Sequence, residues 1–100
     1  MPAATRLRDN CTGHDCWPPR PNCQGSPDVF VNGRPWHRQT DNWAPHWWPP
    51  PWHGGTLVTG SPTVYVNKLQ GGRIGDPVSC GSFVAEGSSN VFCDETGCSM

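Results

Sequence analysis

Four side chains in this sequence have the chemistry of metal ligands: His14, His46, His53 and Cys80. Two of them lie in the densest stretch, Asp41–Gly55, which reads DNWAPHWWPPPWHGG and holds four tryptophans and four prolines. Three consecutive prolines hold φ at about −65° and force a stiff, extended path between His46 and His53. Neutral imidazole is the commonest protein ligand for zinc, and a close pair on a preset frame suits one metal. The His-x6-His spacing is not itself a standard signature. From this stretch alone, a Trp/Pro packing loop with surface histidines is the alternative.

The elements that must position these ligands emerge when the chain is aligned with itself. Gly25-Ser-Pro-Asp-Val-Phe30-Val-Asn32 recurs as Gly60-Ser-Pro-Thr-Val-Tyr65-Val-Asn67, and a shortened copy stands at Gly87-Ser-Ser-Asn-Val-Phe92. Each copy reads as a turn followed by a strand of β-branched and aromatic residues. Asn32-Gly33 adds a strong hairpin-turn signal. Six residues past the asparagine of each full copy comes Arg-x-x-Asp, as Arg38/Asp41 and Arg73/Asp76. Near the N-terminus Arg6/Asp9 is the same tetrad without a strand copy before it, and 87–92 is a strand copy without a tetrad after it. Residues 87–92 therefore complete the repeat that residues 2–9 begin, so the chain ends must lie together. Three repeats closing around an axis would leave no free strand edge.

The ligand types follow the same phase. His14 stands five residues after Asp9, His46 five after Asp41, and Cys80 four after Asp76. His53 adds a fourth from the Trp/Pro loop. Three histidines and one cysteine are a closed set of the kind structural zinc uses. The competing reading is coincidence, with these residues capping turns.

Composition agrees with a small stapled β domain. Among 100 residues, Gly and Pro contribute 12 each and hydrophobic residues 34%. Such a chain excludes long helices and builds a core that is marginal without a metal or disulfides. A net charge of −1, with seven basic residues, offers no footprint for nucleic acid. MPAATRLRDN has no apolar signal-peptide core, and no apolar run reaches membrane-spanning length. The expectation is a single domain over residues 1–100, made in the cytoplasm, where thiols favour metal over disulfide.

Together these motifs resemble the PAAR-repeat family. The resemblance spans nearly the whole chain and rests on six segments. They are Pro2-Ala3-Ala4-Thr5-Arg6, Thr12-Gly13-His14, Asn32-Gly33-Arg34-Pro35, His53-Gly54-Gly55, Gly60-Ser61-Pro62-Thr63-Val64 and Arg73-Ile74-Gly75-Asp76. The chain departs from the family pattern at Thr5, at Arg8 and Thr40 (where glycine is usual), and at 68–72. The family forms the sharpened tips of type VI secretion spikes and contractile phage tails. The resemblance implies a mainly β fold: a small cone of short β-hairpins in three pseudo-threefold repeats, with a zinc near the apex held by three His and one Cys. It implies a base seated on a trimeric β-helical spike, VgrG-like or from a phage tail, with three spike chains to one tip. It also implies transient contact with the target-cell membrane, delivery into the target envelope or residence at the virion tail tip, and no toxin extension. The isolated tip is expected to be a monomer, with Val29, Val31, Val64, Val66 and Val91 as candidates for the apolar docking face.

An enzyme is disfavoured: four ligands would leave zinc no open position, and the signatures of zinc deaminases and zinc proteases are missing. The other competitor is a secreted Trp/Pro-rich membrane-active protein stapled by disulfides. Cys11, Cys16, Cys23, Cys93 and Cys98 have no repeat equivalents and read by default as small buried hydrophobes. Late disulfides, Cys93–Cys98 or within 11–23, are a further option. His37 reads as a turn residue, the tetrads as local ion pairs or turn hydrogen bonds, and Trp43, Trp47, Trp48 and Trp52 as a shield around the metal.

Overall fold

The computed structural model describes residues 2–13, 19–46, 53–94 and 97–99, and only the backbone of 45, 46, 53, 54, 94 and 97–99. Its secondary structure is all β. The strands are β1 (Phe30–Val31), β2 (Arg34–Pro35), β3 (Asn42–His46), β4 (His53–Thr56), β5 (Tyr65–Val66), β6 (Leu69–Gln70), β7 (Phe92–Asp94) and β8 (Gly97–Ser99). Each consecutive pair forms one antiparallel two-stranded hairpin. The described residues contain no helix. The molecule is elongated, with extents of 41 × 24 × 21 Å.

Turn chemistry makes the short hairpins. Asn32 and Gly33 (φ 54° and 77°) join β1 to β2, and Asn67 and Lys68 (φ 55° and 69°) join β5 to β6. Two positive-φ residues in a two-residue loop match the twist of the flanking strands. The pairings are accordingly Val31↔Arg34 and Val66↔Leu69. The third copy is not cut short at Phe92: it continues into β7–β8, where Cys93 takes the place of Val31 and Val66.

Ahead of each strand copy, a buried serine closes the turn. Ser26 Oγ accepts from the amides of Asp28 and Val29, Ser61 Oγ from Thr63 and Val64, and Ser88 Oγ from Asn90 and Val91. The glycine before each serine is required for space. A Cβ on Gly60 would lie 2.4 Å from the carbonyl oxygen of Gly71, and one on Gly87 2.7 Å from that of Ala4. Beyond the turns, alternate residues face inward. Val31, Val66 and Cys93 are buried with Ala4 and Trp36, and Val29, Val64 and Val91 pack against them.

The three Arg-x-x-Asp tetrads fold identically. In each, the aspartate accepts from the arginine's own amide and from its Nε, at 2.8 and 3.0 Å in the first tetrad, 2.8 and 2.9 Å in the second, and 2.7 and 3.3 Å in the third. These are ion pairs and turn hydrogen bonds at once. Burial pushes the Asp76 carboxyl above its ordinary pKa, against the pull of Arg73. The residue before each arginine joins a closed ring of backbone bonds. Thr5 N–H donates to Gly72 O, Gly72 N–H to His37 O, and His37 N–H to Thr5 O, at 3.0, 2.8 and 3.1 Å.

The third tetrad position is left-handed throughout: Arg8 at φ 75°, Thr40 at 74° and Gly75 at 91°. The departures from glycine thus leave the turn intact and carry its strain instead. A β-branched residue there costs roughly 1–2 kcal/mol, more than the roughly 0.5–1 kcal/mol that a glycine adds in chain entropy. Exposed Thr40→Gly is therefore expected to stabilise the protein by about 1 kcal/mol, and Gly75→Thr to do the reverse. Paired urea melts check this; a destabilised Thr40→Gly would contradict it.

Above the ring lies a second core of Cys11, Trp43, Leu57, Val78 and Val84. Cys11, Trp43 and Val78 each stand two residues past a tetrad aspartate. Their bridges are again cyclic: Asn22↔Trp43, Leu57↔Val78 and Val84↔Cys11. Asn22 is the polar member of the set with Leu57 and Val84, and its buried amide accepts from Arg8 N–H and donates to Arg6 O. The two chain ends meet in the first core, where Ala3 bridges Phe92 and Ala4 N–H donates to Val91 O at 2.9 Å.

Candidate metal centre

Three excursions leave the second core and return to it: residues 10–21, 42–56 and 77–83. They start just after Asp9, Asp41 and Asp76 and end just before Asn22, Leu57 and Val84. That is why the ligand types share a phase with the tetrads. His46 and His53 are direct cross-strand partners in β3–β4, and the three prolines between them lie outside the described residues. The strand register shifts between Trp43 and His46.

The third excursion docks on this hairpin. Thr56 N–H donates to Ser79 Oγ and Ser79 N–H to Thr56 O, at 3.0 and 2.9 Å. The Cys80 amide nitrogen would lie 3.2 Å from a Cβ built on Gly55, two residues from His53. The first excursion joins the same end through Thr12, whose amide donates to Phe83 O at 2.8 Å while its Oγ1 accepts from Phe83 N–H at 3.2 Å. The backbone thus sets His46 opposite His53 and brings Cys80 up to Gly55 on the same hairpin.

His14 lies outside the described residues, as do the side chains of His46 and His53. Among the described residues no group of three or more His, Cys, Asp or Glu side chains stands together. Cys80 is half-buried, with its sulfur 3.5 Å from the hydroxyl of Ser82. Trp43 packs in the core beneath, and Cys80 packs against that core. Trp47, Trp48 and Trp52 fall outside the described residues.

His37 is an interior residue, not the turn residue its neighbours in sequence suggest. Its side chain is fully buried, and its Nδ1–H donates to Gln24 O at 2.7 Å. Burial pushes its pKa down to about 4, so it is neutral at pH 7. The ring meets Trp43 edge-on at 5.0 Å. Nothing in the local sequence distinguishes it from a surface histidine; its place in the backbone ring decides its burial.

The cysteines divide. Cys11 is the small buried hydrophobe expected, with its sulfur accepting from Arg20 N–H at 3.3 Å. Cys23 is exposed, because it follows Asn22 on the outward side of the chain. Cys93 is disulfide-bonded and fully buried, and the β7–β8 register sets Cys98 directly opposite it. Both depart from the default reading. Cys16 and the side chain of Cys98 are outside the described residues.

Ser79, Ser82 and Asn22 are further residues that shape this end of the molecule and that spacing rules did not single out. A serine two residues from a ligand-type cysteine was the only available signal for Ser82.

Comparison with known proteins agrees with the motif reading. No curated protein matches the chain. The PAAR motif family matches residues 49–97, a span that takes in His53, Cys80, the third tetrad and the second and third strand copies. Residues 49–97 therefore form a PAAR motif.

Proposed function

We propose that this protein is the membrane-piercing tip of a contractile injection apparatus, capping a trimeric β-helical spike and rigidified by one structural zinc. The observation that carries this reading is the ring of three backbone hydrogen bonds through Thr5, His37 and Gly72. Three similar units arranged about a pseudo-threefold axis let one chain meet three equivalent chain ends of a trimer. The role is structural, with catalysis no part of it. The zinc would be held by His14, His46, His53 and Cys80, on the excursions at the end away from the first core. Three imidazoles and a thiolate are a donor set that zinc accepts in tetrahedral geometry, and the pairing of His46 with His53 and the approach of Cys80 to Gly55 suit one shared ion. The partner is a VgrG-like or phage-tail spike; the protein is made in the cytoplasm and carried at the tip into the target envelope.

The docking face differs from the one valine content suggests. Val31 and Val66 are consumed by the protein's own core, and Val29, Val64 and Val91 are partly buried against it. The aromatics between them point away: Phe30 is 55% and Tyr65 58% exposed. These are the side chains available to a partner at equivalent positions of two repeats. Aromatic anchors dominate binding energy when they are buried on association. Phe30→Ser with Tyr65→Ser is expected to weaken spike binding at least about tenfold while leaving zinc content unchanged. Native mass spectrometry with the cognate spike should give one tip on three spike chains. Three tips per trimer, or no binding by the unmodified protein, would reject the reading.

A further inference from the structure

We propose that Ser82 tunes and positions the Cys80 thiolate for metal binding, an inference that rests on the reading of Cys80 as a zinc ligand. The hydroxyl of Ser82 is 3.5 Å from Cys80 Sγ. Either group can donate while the sulfur is a thiol. Once the sulfur is a thiolate, which is the form that binds metal, only the hydroxyl carries a proton, and the hydrogen bond has one direction.

The local fold holds this geometry in place. Val78 N–H donates to Ser82 O at 2.8 Å and Gly81 N–H to Val78 O at 3.0 Å, closing a turn over residues 78–82. Gly81 takes φ 105°, a conformation other residues rarely adopt. Cys80 and Ser82 thereby project side by side from a turn braced against β4 by Ser79. Ser82 is 1% exposed, so water cannot replace its hydroxyl if it is removed. Among the described residues, the hydrogen-bond partner of that hydroxyl is the Cys80 sulfur. A buried hydroxyl aimed at a ligating sulfur stabilises the negative charge and fixes the direction of the sulfur lone pair. Loss of such outer contacts costs about 10–100-fold in metal affinity at comparable sites.

The test compares the unmodified protein with Ser82→Ala, Ser82→Cys and Cys80→Ala, each checked for fold by circular dichroism. Zinc affinity is read by competition with a chromophoric chelator, and the sulfur is read by loading cobalt(II) in place of zinc. Ser82→Ala is expected to lose about tenfold or more in zinc affinity, with Ser82→Cys, a weaker donor, falling between. The thiolate-to-cobalt charge-transfer band should move to longer wavelength in Ser82→Ala, because the lone pair loses its hydrogen bond. A purely structural serine would leave that band in place. Should Ser82→Ala fail to fold, the affinity and band of Ser82→Cys decide instead. Unchanged affinity and an unmoved band in a folded variant would overturn the proposal while leaving the zinc reading intact. Full zinc affinity in Cys80→Ala, or no zinc in the unmodified protein, would remove the metal reading and this inference with it.

Discussion

Stripping the metal is expected to unfold this protein. One zinc per chain should accompany the purified protein, and His46→Ala or Cys80→Ala should lose both the metal and the cooperative melt. The size of the effect follows from the core. The second core holds only five buried hydrophobic residues among those described, Cys11, Trp43, Leu57, Val78 and Val84. Structural zinc in small domains contributes an apparent 10–16 kcal/mol, roughly, against a total stability of about 5–15 kcal/mol for an ordinary domain. Little folded protein should survive a strong chelator at neutral pH. Elemental analysis and thermal melts with and without chelator check this. Absence of zinc, or a His46→Ala variant that keeps its metal and its melting temperature, would refute it.

The second large effect belongs to a tetrad. Asp41 is 1% exposed and accepts from Arg38 N–H, Nε and Nη2, at 2.8, 2.9 and 2.9 Å. Its hydrogen bonds are also what raises the Arg38 pKa. Asp41→Ala would leave a largely buried guanidinium without its counter-ion and strip the acceptor from the Arg38 amide. Breaking one side of such a pair costs about 3–5 kcal/mol, although the intact pair is worth far less relative to an apolar replacement. Asp41→Ala is thus expected to lose about that much in urea melts. Replacing both partners, as Arg38→Met with Asp41→Leu, should cost less than the single change. A loss below about 1 kcal/mol would place the pair with ordinary exposed salt bridges. Asp9 receives Arg34 as well as Arg6, so the first tetrad has a second cation to fall back on.

Local chemistry accounts for what could be read without coordinates. Asn32-Gly33 specifies its own turn, because two left-handed residues are a property of the dipeptide and not of its surroundings. The Arg-x-x-Asp tetrads close on themselves over three residues, so their hydrogen bonds are written into the spacing. Repetition of these local units carried the mainly β fold, the PAAR motif and the phase of His14, His46 and Cys80.

What depends on neighbours distant in sequence was out of reach. His37 is buried because Thr5 and Gly72 complete its ring, and those partners lie in the other two units. Lys68 and Thr40 occupy left-handed positions that their own preferences oppose, held there by the strands and ring around them. Phe30 faces out and Val31 in, although both are apolar, because strand pleating gives alternate residues opposite faces and the first core claims only one of them. Residue order alone determined which units repeat; the packing of those units on one another decided which side chains are core, which are surface, and where the three excursions meet.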